Sequence, residues 1–310
     1  MGALSSRIGP SKSSIKAVFW DVDGTLLNTL NMSLLALETV LKQLYAAAPE
    51  RSFAFEWKPS EIAALITNNK GEENPGVVSA LHKIASQPSW HTKKAVAETE
   101  PRHETEPRHL ATVADEAASK AATSSALKWA TKAVEMTKLG ADITPLELVG
   151  LWEAEMIDMR RNVQAMKGAE DLVKHFKKLG LPQVVCTMSN SKSLALKKSQ
   201  HSDLFAAFTS ILTIDGNNAG GRFDAKPSPA IYLRAVELVS VSPADCLVFE
   251  DSPEGVRAGL KAGCRVAIVG RLAGWTEADI KELKPKAAAW LEELTYFKGR
   301  PFGLADVQWS

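Results

Sequence analysis

The chain has no apolar run approaching the length of a membrane span, and no signal peptide opens it, so it reads as a soluble intracellular protein. It also lacks an excess of either charge. Its 37 basic and 36 acidic residues leave a formal net charge of +1, without the basic excess expected of a general nucleic-acid binder. Cysteine is scarce: Cys186, Cys246 and Cys264 each lie in an apolar, strand-like segment. They read as small core residues in the cytoplasm or another reducing compartment rather than as disulfide partners or metal ligands. The six histidines show no metal-ligand spacing. What is present is a chain of 310 residues with 45% hydrophobic content, long enough for a large core and for two domains.

The opening residues 1 to 14, rich in Ser and Gly, are expected to be a flexible leader. Within them Met1-Gly2-Ala3-Leu4-Ser5-Ser6 fits the pattern for myristoylation at Gly2, with a disordered leader as the plainer reading. One acyl chain alone would hold a protein to a membrane only marginally, so no stable membrane insertion is expected.

Ile15 to Trp20 is a short run of β-branched and aromatic residues with only Lys16 polar, the pattern of a strand buried on both faces. Asp21-Val22-Asp23-Gly24-Thr25 follows it directly. Two carboxylates two residues apart at the C-terminal end of such a strand stand where open α/β sheets bind ligands, and Gly24 lets the backbone turn away at once. Such a pair can gather a cation and divide the work between a nucleophile and a proton-handling group.

From residue 31 to about 165 the convincing segments read as helices. Leu34, Leu37, Leu41 and Leu44 recur at helical spacing, Pro59-Ser60-Glu61 opens another helix, and Leu110 to Leu139 forms an Ala-rich one. Thr144-Pro145-Leu146-Glu147 combines a capping box with Pro at the first helical position. Between these segments the hexapeptide Glu98 to His103 repeats as Glu104 to His109, a charged, Pro-containing stretch that reads as a solvated loop. At Gly168 the pattern becomes alternating helix and strand, which implies a parallel sheet covered on both faces. The opening strand belongs to that sheet by character. The expected architecture is therefore an α/β, Rossmann-like doubly wound core, 15–30 with 166–310, and an unusually long all-helical insert at 31–165. Ala287 to Ser310 holds Trp290, Tyr296, Phe297, Phe302 and Trp309; it reads as a terminal helix and tail packed on the core, with a partner-binding peptide as the alternative.

Three more stretches in the second half carry chemistry. Cys186-Thr187-Met188-Ser189-Asn190 ends a strand with hydroxyls, Lys226 stands before Pro227 and Pro229 at a helix start, and Glu250-Asp251 ends another strand. Each alone has an ordinary structural reading as a cap, a solvated lysine or a turn. In this order after Asp21 and Asp23 the set resembles the haloacid dehalogenase superfamily, within it the phosphatases of the phosphoglycolate phosphatase and beta-phosphoglucomutase-like group, whose helical cap is inserted after the first motif. The resemblance covers residues 15 to 30 and about 168 to 270.

That resemblance implies a Mg2+-dependent phosphomonoesterase acting on a small phosphorylated metabolite. It makes Asp21 the nucleophile, forming an aspartyl phosphate, and Asp23 the acid and base. Mg2+ would be held by the side chains of Asp21 and Asp251 and the backbone carbonyl of Asp23, with Glu250 supporting that shell. Lys226 would offset charge, and Thr187, Ser189, Asn190 and the turn at Gly24 would bind the substrate phosphate. A proton donor at Asp23 separates phosphate-ester chemistry from halide displacement, which needs none. A sugar phosphomutase is the alternative enzyme, although Ser60 to Gly76, where its phosphate clamp would be sought, contains no arginine. A non-catalytic phosphate-ligand binder is the third reading, and such a protein would be expected to have lost one of Asp21, Asp23, Lys226 or Asp251. Oligomeric state is not legible.

Overall fold

The computed structural model describes residues 14–29, six helical positions between 32 and 43, and residues 144–216, 221–270 and 275–309. The helices expected at Pro59 and at Leu110 to Leu139, the hexapeptide repeat, residues 1–13 with Gly2, and the stretch from Ser60 to Gly76 lie outside the described residues. The chain divides into two compact units, 1–28 with 164–272 and 276–310, and 29–163 with 273–275.

The first unit is built on a six-stranded, wholly parallel sheet: β1 (Ala17–Trp20), β2 (Gln183–Thr187), β3 (Ser210–Thr213), β4 (Cys246–Glu250), β5 (Arg265–Val269) and β6 (Ala289–Leu291), in spatial order β3-β2-β1-β4-β5-β6. Helices from Ala169–Lys178, Ser191–Lys198, Ala230–Val239 and Pro253–Lys261 alternate with the strands. Every residue of β1, β2 and β4 is buried, which explains the apolar runs Ala17–Trp20, Val184–Cys186 and Cys246–Phe249: a parallel strand covered on both faces has no solvent-facing side. Strand order reverses between β1 and β4, so the crevice at their carboxyl ends is the switch point of the fold.

In the second unit the helix Pro145–Arg161 starts as its capping box requires, with Thr144 Oγ1 accepting the Glu147 N–H and Glu147 accepting the Thr144 N–H. Leu148, Val149 and Met156 are buried hydrophobic side chains along it. Upstream, Met32, Ala36 and Val40 are buried one turn apart; the leucines at 34, 37, 41 and 44 lie outside the described residues. Among the described residues no helix is long and apolar enough to cross a membrane.

The C-terminal segment differs from expectation. The described residues from Ala287 to Trp309 form no α-helix; they give the edge strand β6 and single 3-10 turns at Leu294–Tyr296 and Arg300–Phe302. Short β6 lies in register with β5, Ala267 beside Ala289 and Val269 beside Leu291, so pairing with an exposed sheet edge outweighs the local helical preference of three successive alanines. The aromatic residues Phe297 and Phe302 are buried in the core, where Phe297 meets Phe176 edge-on at 5.5 Å and stacks with Phe302 at 5.2 Å. Trp20 stacks on Phe249 at 4.3 Å in the same cluster.

Gln183, 1% exposed, ties this cluster together: its Oε1 accepts the Trp20 indole N–H at 3.0 Å and its Nε2 donates to the Val173 carbonyl at 3.0 Å. Gln183→Leu keeps the bulk and strands both partners in a dry core. The expected loss is about 2–4 kcal/mol of stability, measured by urea unfolding; a loss below about 1 kcal/mol would mean that the two groups find other partners.

Candidate active site

Strand geometry stops just after Trp20. The Asp21 N–H still donates to the Phe249 carbonyl at 3.1 Å, holding Asp21 level with the end of β4. The Val22 carbonyl then accepts the N–H groups of Leu26 and Leu27 at 3.0 and 2.9 Å, and Gly24 adopts φ +84°, a left-handed conformation that favours glycine. The Gly24 N–H is engaged by the Leu27 carbonyl at 2.9 Å, so what Gly24 contributes is the turn itself. That turn gives the two carboxylates different surroundings. Asp21 is buried, whereas the Asp23 side chain is 36% exposed.

Lys226 arrives from the loop before Ala230–Val239, and its side chain is 4% exposed. Its Nζ donates to Asp21 Oδ1 at 2.7 Å, to Glu250 Oε1 at 2.5 Å and to the Cys186 carbonyl at 3.0 Å. An ammonium has three protons, and all three are committed. Glu250 is fully buried and equally occupied: Oε1 also accepts from the Tyr232 hydroxyl at 2.7 Å, while Oε2 accepts from Ser252 Oγ at 3.1 Å and the Asp251 N–H at 3.2 Å. Ser252 Oγ in turn accepts the Gly255 N–H, capping the helix Pro253–Lys261.

A second buried ammonium faces the other carboxylate. Lys197, 6% exposed in its side chain, pairs with Asp23 Oδ1 and donates to Ser189 Oγ at 2.8 Å, and that hydroxyl donates to Asp23 Oδ2 at 2.7 Å. Thr187 is fully buried at the end of β2, its Oγ1 accepting the Ser189 N–H at 3.1 Å. Asn190 is exposed and caps the helix Ser191–Lys198, Oδ1 accepting the Ser193 N–H at 2.8 Å. Asp21, Asp23, Thr187, Ser189, Lys226, Glu250 and Asp251 thus meet at one end of the sheet, with Asn190 at its rim. Lys197 and Tyr232 are the members that sequence reasoning missed. Lys197 stands three residues after buried Leu194, on the inner face of a short helix, and that spacing was the available signal.

Asp21, Glu250 and Asp251 each offer an oxygen within 4.8 Å of the others. Burial is the largest influence on Asp21 and raises it to about 7, with Glu250 and Asp23 adding to the rise and Lys226 opposing it. Asp251 is held well above the ordinary carboxylate range, first by burial and then by Asp21 and Glu250. Burial pulls Lys226 down, but Asp21 and Glu250 outweigh it and leave the ammonium above its usual value. Three carboxyl groups, Asp21, Glu250 and Asp251, thus cluster around one ammonium, Lys226, which pairs with the first two. An all-oxygen cluster suits a hard divalent cation such as Mg2+, and because both Glu250 oxygens are engaged, Asp21 and Asp251 are the side chains that fit it.

The fold and site define a doubly wound α/β protein with an acidic, cation-ready centre at its switch point. Residues 15–263 match the family model of the haloacid dehalogenase-like hydrolases, and the chain belongs to that family. It is 37% identical over 150 residues to a probable pseudouridine-5'-phosphatase of Drosophila melanogaster, covering 47% of this chain and 61% of that protein. It is 35% identical over 126 residues to a bifunctional riboflavin kinase/FMN phosphatase of Arabidopsis thaliana, covering 41% and 31%, and 30% identical over 131 residues to hexitol phosphatase A of Escherichia coli, covering 42% and 55%. These matches span less than two thirds of each relative. Among solved structures, a Thermotoga maritima protein provisionally described as a beta-phosphoglucomutase superposes with a TM-score of 0.52 at 18% identity, covering 89% of this chain and 94% of that one. A hydrolase of the family from Entamoeba histolytica gives 0.51 at 17%, covering 93% and 97%. At these identities the structures speak for the fold alone.

Gly255 makes the Glu250 arrangement possible, because a Cβ there would lie 1.9 Å from Glu250 Oε1 and 2.1 Å from Oε2. Gly→Ala inside a helix ordinarily stabilises by about 0.5–1 kcal/mol. Here the sign should reverse: Gly255→Ala has to displace the carboxylate from Lys226 and Tyr232, with an expected loss of about 2 kcal/mol or more in urea unfolding. A stabilised variant would show that the space is not limiting.

Proposed function

We propose that the chain is a Mg2+-dependent phosphomonoesterase that hydrolyses a small phosphorylated metabolite through an aspartyl phosphate. The observation that carries this reading is the contrast between the paired carboxylates: Asp21 buried against a fully engaged Lys226, and Asp23 two residues on, partly exposed and held by a different ammonium. In this scheme a carboxylate oxygen of Asp21 attacks phosphorus and the bond to the substrate's ester oxygen breaks, while Asp23 supplies the proton that the departing alkoxide needs. Water then attacks the phosphorus of the aspartyl phosphate, Asp23 takes its proton, and the bond to Asp21 breaks to release phosphate.

Mg2+, held by the side chains of Asp21 and Asp251 and the backbone carbonyl of Asp23, would neutralise charge on the phosphoryl oxygens. Lys226 acts by its charge, since its three protons are taken by Asp21, Glu250 and the Cys186 carbonyl. Thr187, whose oxygen accepts from Ser189, keeps its hydroxyl proton for a phosphoryl oxygen, and Ser189 and Asn190 would border the same group. Glu250 is the support that holds Lys226. Substrate choice is assigned to the insert, about residues 31–165. The names of the curated relatives, phosphatases for pseudouridine 5'-phosphate, FMN and a hexitol ester, favour hydrolysis of a small ester over the mutase reaction.

Phosphate release from a panel of sugar, nucleotide and small-acid phosphates should require Mg2+ and vanish in Asp21→Asn. Asp23→Asn should lower turnover of alkyl phosphates by about 10²–10⁴-fold. Substantial hydrolysis by purified Asp21→Asn would refute the mechanism. Conversion of beta-glucose 1-phosphate to glucose 6-phosphate with a bisphosphate primer and no free phosphate would instead establish the mutase.

A further inference from the structure

Lys197 lies outside every motif that defines the site, yet its charge is placed inside it. Its side chain is 6% exposed, and its ammonium reaches both Asp23 Oδ1 and Ser189 Oγ, while Ser189 Oγ donates to Asp23 Oδ2. Both carboxylate oxygens of Asp23 are therefore tied, one to a cation and one to a hydroxyl, and the cation and hydroxyl are tied to each other at 2.8 Å. The three form a closed triangle, which fixes the plane of a carboxyl group as well as its distance.

Asp23 has particular need of such a fixture. It stands in a tight turn next to left-handed Gly24, and its side chain is 36% exposed, so its own burial does not hold its rotamer. Asp21 has a different solution, in which a strand, a β4 backbone bond and Lys226 hold it. Burying the long side chain of Lys197 to reach a partly exposed carboxylate is costly for packing alone, because an apolar residue on that helix face would cover the same surface without desolvating an ammonium.

We propose that Lys197 is a positioning residue for proton transfer: with Ser189 it holds the Asp23 carboxyl group in the orientation from which it serves the leaving alkoxide. The inference rests on the phosphomonoesterase reading. It predicts a dependence on the leaving group, since a misplaced proton donor matters when the departing oxygen is basic and matters little when it is not. Misplacement of a catalytic group by about 1 Å can cost on the order of 10²-fold.

The test is kcat/KM, which reports events up to phosphoryl transfer to Asp21, measured for wild type, Lys197→Met and Lys197→Arg over alkyl phosphates and aryl phosphates of graded leaving-group basicity. Lys197→Met should fold, because Asp23 is open enough for water to solvate it, and the thermal unfolding midpoint checks this. Its kcat/KM is expected to fall by about 10- to 100-fold for alkyl phosphates and by under about threefold for an aryl phosphate with a weakly basic phenolate. Lys197→Arg, which keeps the charge and the donors, should recover a large part of the alkyl activity. A uniform fall across all esters, or no fall, would overturn the positioning role while leaving the wild-type phosphatase intact. A wild type inert to every ester, with Mg2+ present, would remove the phosphomonoesterase reading itself and this inference with it.

Discussion

One buried ammonium sets the geometry on which the rest depends. Lys226 has no exchangeable proton left for solvent: Asp21, Glu250 and the Cys186 carbonyl take all three, and those acceptors come from the ends of β1, β4 and β2. Three neighbouring strands of a parallel sheet are thereby locked together by a single charge. Removing one partner of a buried ion pair leaves the other without compensation, at a typical cost of about 3–5 kcal/mol, so the arrangement resists piecemeal change. The ring of Tyr232, 5.1 Å from the Lys226 nitrogen, closes the remaining side.

Glu250 carries this constraint outward into the fold. Its far oxygen receives Ser252 Oγ and the Asp251 N–H, so the carboxylate that anchors Lys226 also fixes the turn in which Asp251 stands. Ser252 passes the constraint on by capping the next helix, and the absence of a side chain at Gly255 gives the carboxylate its room. A divalent cation at Asp21 and Asp251 would therefore meet side chains whose backbone is already set. Burial raises both carboxyl groups above the ordinary carboxylate range, and a cation between them would act in the opposite direction.

Much of this was legible in the sequence, for identifiable reasons. Strands β1, β2 and β4 show themselves by the apolar runs Ala17–Trp20, Val184–Cys186 and Cys246–Phe249 that double burial imposes, and Asp21, Thr187 and Glu250 show themselves because they stand at the ends of those runs. Residues outside those motifs, whose roles depend on chain-distant partners, were not legible. Tyr232 is an ordinary core position on a helix until Glu250, 18 residues away, is known to face it. Lys197 meets Asp23 across 174 residues of sequence, and in a linear reading it is one of two adjacent helix-terminal lysines. β6 was missed because three residues carry too little periodicity to outweigh neighbouring alanines, and only the open edge of β5 makes them a strand.

The two aspartates that began as a matched pair end as opposites through the turn between them. Val22 is fully buried, and its carbonyl gathers the following N–H groups, so the chain cannot continue as a strand that would point both carboxylates to one side. Asp21 stays with β4 and Lys226, and Asp23 turns toward Ser189 and Lys197 beyond the end of β2. The proposed mechanism asks a nucleophile and a proton carrier of the same residue type to act in sequence, which requires that their environments differ. Two buried ammonium groups, one on each side of a five-residue motif, supply that difference. A sheet whose order reverses between β1 and β4 brings β2, β1 and β4 side by side and supplies the place for it.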